Sequence, residues 1–165
     1  MLQQCSTAQE QWGGVHVLVD RWLKQRHDVL LAYMELLEAC NGEIEPVDKR
    51  LIDRFSEQLM DYISAGHFEL YPQLCEEAKA FNDFEALEAG NQLVANLDPS
   101  TQMVLAFDGD YANPVLCQEN SANLPAWLER LRKGLTERFA IEDVLIARLH
   151  AAHAPAQERM PAQSS

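Results

Sequence analysis

Apolar residues recur every three or four positions along most of the chain. Val15, Leu18, Val19, Trp22 and Leu23, then Val29, Leu30, Tyr33, Leu36 and Leu37, follow this spacing. A stripe of that period predicts a long amphipathic helix with one buried face. Gly13-Gly14 precedes it, and Asn41-Gly42 supplies the residue types that close a helix. After an acidic linker, EIEPVDK (43–49), Leu51, Ile52, Phe55, Leu59, Tyr62 and Ile63 carry a second helix to about Ala65, with Pro46 at or near its start. A third helical piece runs from His67 to about Phe81. Gly66 predicts a break or bend before it. Pro72 has no N–H to donate and costs about 3 kcal/mol inside a helix, so a non-helical joint is expected between Gly66 and Tyr71.

The stretch 82–97 reads as helix with Asn82 or Asp83 as its cap. Residues 98–107 continue it, with Asp98 capping and Pro99 at the first helical position. DGDYANPVLCQENSAN (108–123) is dense in turn formers and is the longest expected loop. The last helix spans about Leu124 to Ala152 on a stripe of Leu128, Leu131, Leu135, Phe139, Ile141, Val144, Leu145 and Leu149. No strand-like alternation or internal repeat interrupts this pattern. The reading is all-α: an antiparallel four-helix bundle with additional short helices. It forms a single domain over 1–153, and the polar, proline-bearing segment 154–165 is expected to be a disordered tail.

Composition narrows the function. The chain has 165 residues and a net charge of −13. Direct nucleic-acid binding calls for a basic footprint, so that class is disfavoured. A basic partner is permitted, and acidity for solubility alone accounts for the same number. The four cysteines (Cys5, Cys40, Cys75, Cys117) form no CxxC pair. They fit neither a zinc site nor a small disulfide framework, and reduced thiols in a cytoplasm are the simplest reading. The N-terminus lacks the basic and apolar regions of a signal peptide, and no run of about 18 apolar residues could cross a membrane.

Candidate chemistry is sparse. Di-iron bundles use Glu-x-x-His motifs, and none of His16, His27, His67, His150 and His153 belongs to one. His16, His67 and Glu142 could meet in a bundle core, as could Asp20 and Glu137, which keeps a hemerythrin-like metal-binding sensor or oxidase as the alternative. There is no nucleophile elbow, Cys–His signature or phosphate loop, so no enzyme, no cofactor and no metal are expected. Polar residues threaded through helix faces are the remaining signal. Asp20, Arg21, His67, Glu137, Arg138 and Glu142 suit a structural network that fixes helix register, since buried charges need partners. Asp61, Ser64, Phe68 and Tyr71 would share one face if the helical phase survived Gly66. An acid and a hydroxyl beside two aromatics suit a basic, partly apolar partner helix, and a solvated face is the plainer alternative.

Three blocks, GVHVLVDRWLKQRHDVLLAY (14–33), DYISAGHFELY (61–71) and LTERFAIEDVLI (135–146), resemble the Rsd/AlgQ family, the bacterial regulators of sigma D. AQEQWGGVH (8–16) is similar to the AlgQ branch of pseudomonads. The resemblance runs from Met1 to about His153. It is thinner over 82–123, and Pro72 and Pro99 depart from the family pattern. It implies an all-α anti-sigma factor that binds region 4 of the primary sigma-70-type factor. Such a protein sequesters sigma from the RNA polymerase core and from −35 promoter DNA, in stationary phase and, in the AlgQ branch, with control of alginate and other secreted products. It also implies further cytoplasmic partners of the phosphotransfer or alarmone-enzyme kind. The family's sigma-binding aspartate falls on Asp61. Ser64, Phe68 and Tyr71 extend that face by geometry, and Trp22 and Arg26 are candidates from the first helix.

Overall fold

The computed structural model describes residues 2–42 and 46–155, with side chains from Ala8 onward in the first helix. Seven α-helices are present among the described residues. They are α1 (Leu2–Asn41), α2 (Lys49–Ala65), α3 (Tyr71–Ala80), α4 (Phe84–Ala95), α5 (Asp98–Asp110), α6 (Pro114–Glu119) and α7 (Leu124–Leu149). The fold is all-α, as the 3.6-residue periodicity predicts. The tail assigned to 154–165 lies outside the described residues from position 156 onward, and its first residue, Ala154, is buried.

The longest element is α1. At 1.5 Å per residue its 40 residues span about 60 Å. It runs straight through Gly13-Gly14, where the sequence suggested a beginning. A glycine costs a helix interior only about 1 kcal/mol, and Trp12 and Val15 on either side bury enough apolar surface to hold the phase. Helix α2 begins at Lys49, later than Pro46 suggests, because the Asp48 side chain accepts the Arg50 N–H and caps it there. Asp83 caps α4 as expected, accepting from Ala86 N. Asp98 does not cap α5: Leu97 holds the cap position, and Asp98 is the first helical residue. The segment 108–123 is mostly helix. It comprises the end of α5, then α6, capped by Asn113 on Leu116 N, then a 3-10 turn over Ser121–Asn123. Its turn formers serve as caps and helix starts.

The segment between α2 and α3 is helical where a non-helical joint was expected. Gly66–Leu70 form a π-helical turn, and the Tyr71 N–H donates to the Gly66 carbonyl five residues back. Pro72 can make no i−4 bond and its ring would crowd the Phe68 carbonyl. The wider turn accommodates it at the start of α3. The extra residue rotates everything downstream relative to α2, which decides the geometry of the site below.

Helix α1 lies along α2 and α3, while α7 packs on α4, α5, α3 and α1, and α5 meets α2. The core between them is continuous. Phe55, Leu59, Tyr62, Leu74, Phe107, Leu128, Leu131 and Leu145 are buried to 1 % exposure or less.

Candidate functional site

The centre of the molecule is polar. Glu142 of α7 is fully buried, and its carboxylate accepts four hydrogen bonds. Oε1 takes the Tyr62 hydroxyl at 2.6 Å and Arg26 Nη2 at 3.3 Å; Oε2 takes the Tyr71 hydroxyl at 2.6 Å and Arg138 Nε at 3.2 Å. Each arginine also donates to one of those tyrosines, Arg26 Nε to Tyr62 at 3.0 Å and Arg138 Nη2 to Tyr71 at 3.3 Å. Arg138 Nη1 reaches Ser100 Oγ, Thr101 Oγ1 and the Leu97 carbonyl at the α4–α5 corner. One carboxylate therefore ties α1, α2, α3 and α7 together, and Arg138 adds α5. The four donors occupy the carboxylate's acceptor positions. No described buried side-chain nitrogen or oxygen lacks a partner.

The electrostatics fit this arrangement. Burial and then the Glu142 charge push the Tyr62 and Tyr71 hydroxyls far above the ordinary tyrosine value, so both remain donors. Burial opposes the Arg26 charge, but Tyr62, Asp143 and Glu142 outweigh it and its pKa is raised. Arg26 closes the network toward solvent, with Nη1 2.7 Å from Asp143 and its guanidinium over the Trp22 and Phe139 rings.

Arg138 and Glu142 thus lie in the structural network foreseen from sequence, and Arg26 joins them there instead of standing free for a partner. Tyr62, at the centre, was missed, although its place on the α2 stripe beside Asp61 was a readable signal. The other candidates for the network lie elsewhere. Asp20, Arg21 and Glu137 are solvent-exposed, and Asp20 comes no nearer than 4.0 Å to His16. They sit on outward faces of α1 and α7, one position off the buried stripe. His67 is also exposed. It meets the edge of the Phe68 ring in place of the core, because the π turn swings positions 67–69 outward. The metal constellation is not assembled either. His16 faces His150, His67 is at the surface, and Glu142 is engaged by arginine and tyrosine. Among the described residues no group of three or more His, Cys, Asp or Glu could hold an ion.

The proposed partner face divides in the same way. Tyr71 and Trp22 are buried, at 4 % and 2 % exposure. The π turn carries Tyr71 out of the Asp61 phase and into the core, and Trp22 stacks on Tyr62 and donates to its carbonyl. Neither ring is available to a partner. Phe68 is 74 % exposed, the most exposed of the large hydrophobic side chains described. It stands at a cleft of about 480 Å³ between the π turn and the α4–α5 corner. Ser64, His67 and Phe68 line one wall, Leu105 and Asp98 the other, and Arg138 lies at the floor beside Tyr71. Asp61 is exposed one turn ahead of Ser64, and Glu69 is exposed next to Phe68. Gly66 shapes the wall: a Cβ there would lie 2.8 Å from the Tyr71 hydroxyl oxygen and 3.3 Å from Trp22 Nε1. Only glycine lets the turn close this tightly over the network.

An exposed aromatic thus stands at an apolar cleft that Asp98 lines, on a protein of net charge −13. The family described as regulator of RNA polymerase sigma(70) subunit, Rsd/AlgQ, matches residues 1–150. The chain belongs to that family. Regulator of sigma D from Pectobacterium atrosepticum is 30% identical over 152 residues, covering 91% of this chain and 99% of that protein. The protein of the same description from Enterobacter sp. (strain 638) is 32% identical over 149 residues, covering 89% and 88%. That from Pectobacterium carotovorum is 30% identical over 148 residues, covering 88% and 96%. Members of the Rsd/AlgQ family regulate a sigma factor, a role of binding and not of catalysis. No described helix is long and apolar enough to cross a membrane.

Proposed function

We propose that this protein is a cytoplasmic anti-sigma factor that binds region 4 of the primary sigma-70-type factor through Asp61, Ser64 and Phe68, with Glu69 and Asp98 on the rim. Region 4 reads −35 promoter DNA, so its recognition surface is basic. An acidic face with an apolar anchor competes for that surface as DNA does. Bound there, the protein holds sigma away from the polymerase core and from −35 DNA. This favours alternative sigma factors in stationary phase and bears on alginate and other secreted products.

The observation that carries this reading is Phe68, an aromatic ring 74 % exposed at a cleft that Asp98 also lines. Aromatic residues, Phe among them, are enriched at protein interfaces relative to the rest of the surface. Trp22, Tyr71 and Arg26 support the face from beneath.

Competition tests the mechanism. Core polymerase and a −35 promoter duplex are titrated separately against a preformed complex of this protein with sigma. Displacement of the protein by core establishes sequestration. A ternary complex with core, sigma and this protein together contradicts it.

A further inference from the structure

A second buried polar cluster lies at the end of the molecule where α7 stops, away from the Glu142 network. Glu77 of α3 is fully buried and His150 is 3 % exposed. Glu77 Oε1 is 2.7 Å from His150 Nδ1, and Oε2 is 3.1 Å from His153 Nδ1. His153 Nδ1 also lies 2.9 Å from the Leu149 carbonyl, and its Nε2 lies 2.9 Å from Asp83 Oδ2. The ring stacks flat on Phe81 at 4.7 Å. Beyond His150, Nε2 meets His16 Nδ1 of α1 at 3.0 Å, and Trp12 stacks on both of those imidazoles while donating to the His150 carbonyl.

Donor and acceptor logic fixes the state of His153. The Leu149 carbonyl can only accept, so Nδ1 carries a proton. The Asp83 carboxylate can only accept, so Nε2 carries one too. His153 in this geometry is an imidazolium between two carboxylates. Glu77 faces it from α3 and Asp83 from the cap of α4; His150 shares the Glu77 carboxylate, and the Arg148 charge acts on Asp83. His16 and Asp20 of α1 lie one residue further out. No residue of this cluster belongs to the proposed sigma-binding face.

We propose that Glu77, His153 and Asp83 form a proton-operated clasp that fastens the C-terminal end of α7 to α3 and α4 and loosens as pH rises. When His153 gives one proton to water, a single N–H remains for three acceptors on opposite sides of the ring. Either Asp83 or the pair of Glu77 and the Leu149 carbonyl then faces a lone pair. The α7 end loses one charge-assisted bond and keeps its apolar packing, so the opening is local, at residues 149–154.

Burial lowers the His153 pKa, but the bonds to Asp83, Glu77 and the Leu149 carbonyl outweigh it, and the net shift is upward from 6.5. A raised folded value means the clasp contributes fully below the unfolded value and is lost as pH rises through the folded one.

The test is nitrogen-resolved NMR of the histidine rings of the full chain from about pH 6 to about pH 10, with amide exchange protection factors read on the same samples. The expected result is that His153 has its midpoint above 6.5, so that the doubly protonated ring predominates at that pH. Protection at residues 149–154 should fall about tenfold through that midpoint, the scale of one lost charge-assisted hydrogen bond. Asp83→Asn, at the more exposed end and able to fold with an Asn cap, should move both midpoints down together. Glu77→Gln should do the same where it folds. A His153 midpoint at or below 6.5, or protection at 149–154 that does not track the His153 midpoint in the native chain and in Asp83→Asn, overturns the proposal.

Discussion

The Tyr71 hydroxyl donates to Glu142 Oε2 across 2.6 Å, joining the first residue of α3 to the middle of α7. Tyr62 makes the matching bond to Oε1 from the end of α2. The two tyrosines flank the π turn, so the buried carboxylate clamps both ends of the segment that presents Phe68. Interior polarity thereby becomes surface geometry.

Removing the clamp should be expensive. Glu142→Ala leaves Arg138 and part of Arg26 charged, buried and unpaired, and breaking a buried pair costs about 3–5 kcal/mol. Urea unfolding of Glu142→Ala should show a loss of that order. The double variant Arg138→Met with Glu142→Leu should be less destabilised than Glu142→Ala, since no uncompensated charge remains. Equal losses would mean that the network's worth lies in packing and not in charge pairing.

Gly66→Ala is a test of the turn itself. The added Cβ meets the Tyr71 hydroxyl and ring at 2.8 and 2.9 Å, and the Tyr71 ring is pinned by Glu142 and Arg138. Overpacking of this kind costs about 1–3 kcal/mol. Thermal unfolding should report it, and sigma binding should weaken in the same variant because the turn that aims Phe68 has moved. An alanine variant as stable as the native chain would contradict the close approach.

The sequence shows part of this arrangement. The helical periodicity is in the apolar stripes, the α4 cap is in Asp83, and a disturbance near Gly66 follows from Pro72. The kind of disturbance is not legible: a π turn and a non-helical joint satisfy the proline equally, and only packing chooses between them. That choice sends Tyr71 inward and His67 outward, which is why the face drawn through Asp61, Ser64, Phe68 and Tyr71 is only partly a face. The Glu77 cluster was hidden for a different reason. Its pairings span 73 and 76 residues, and the one local hint is that position 77 falls on the stripe of Tyr71, Leu74 and Ala78. The helical pieces within 108–123 were obscured because asparagine and proline serve as well for caps as for loops.

Stability should respond to pH at both ends of the scale. Asp83 is held below the ordinary carboxylate value of 3.8, by the bond from His153 first and then by the Ala86 N–H. A lowered folded value gives stability that is present above the unfolded value and is lost as pH falls through the folded one. Asp83→Ala removes the α4 cap as well, for about 0.5–2 kcal/mol at neutral pH. Its denaturation midpoint should fall at neutral pH and become less sensitive to acid below about pH 4 than that of the native chain. An unchanged acid limb would separate Asp83 from His153.

Phe68 and Asp61 are the residues proposed to meet sigma directly. Both are exposed, so replacing either by alanine should change folding stability by no more than about 0.5 kcal/mol. The direct measurement is isothermal titration of purified sigma region 4 with the native chain, Phe68→Ala and Asp61→Ala, at low and moderate salt. One-to-one binding that weakens with salt is expected, with a loss of about 2 kcal/mol or more for Phe68→Ala, the scale of an interface anchor, and a smaller, salt-dependent loss for Asp61→Ala. Native-like affinity in Phe68→Ala, with the protein folded, would contradict it and place the sigma-binding face elsewhere on the bundle.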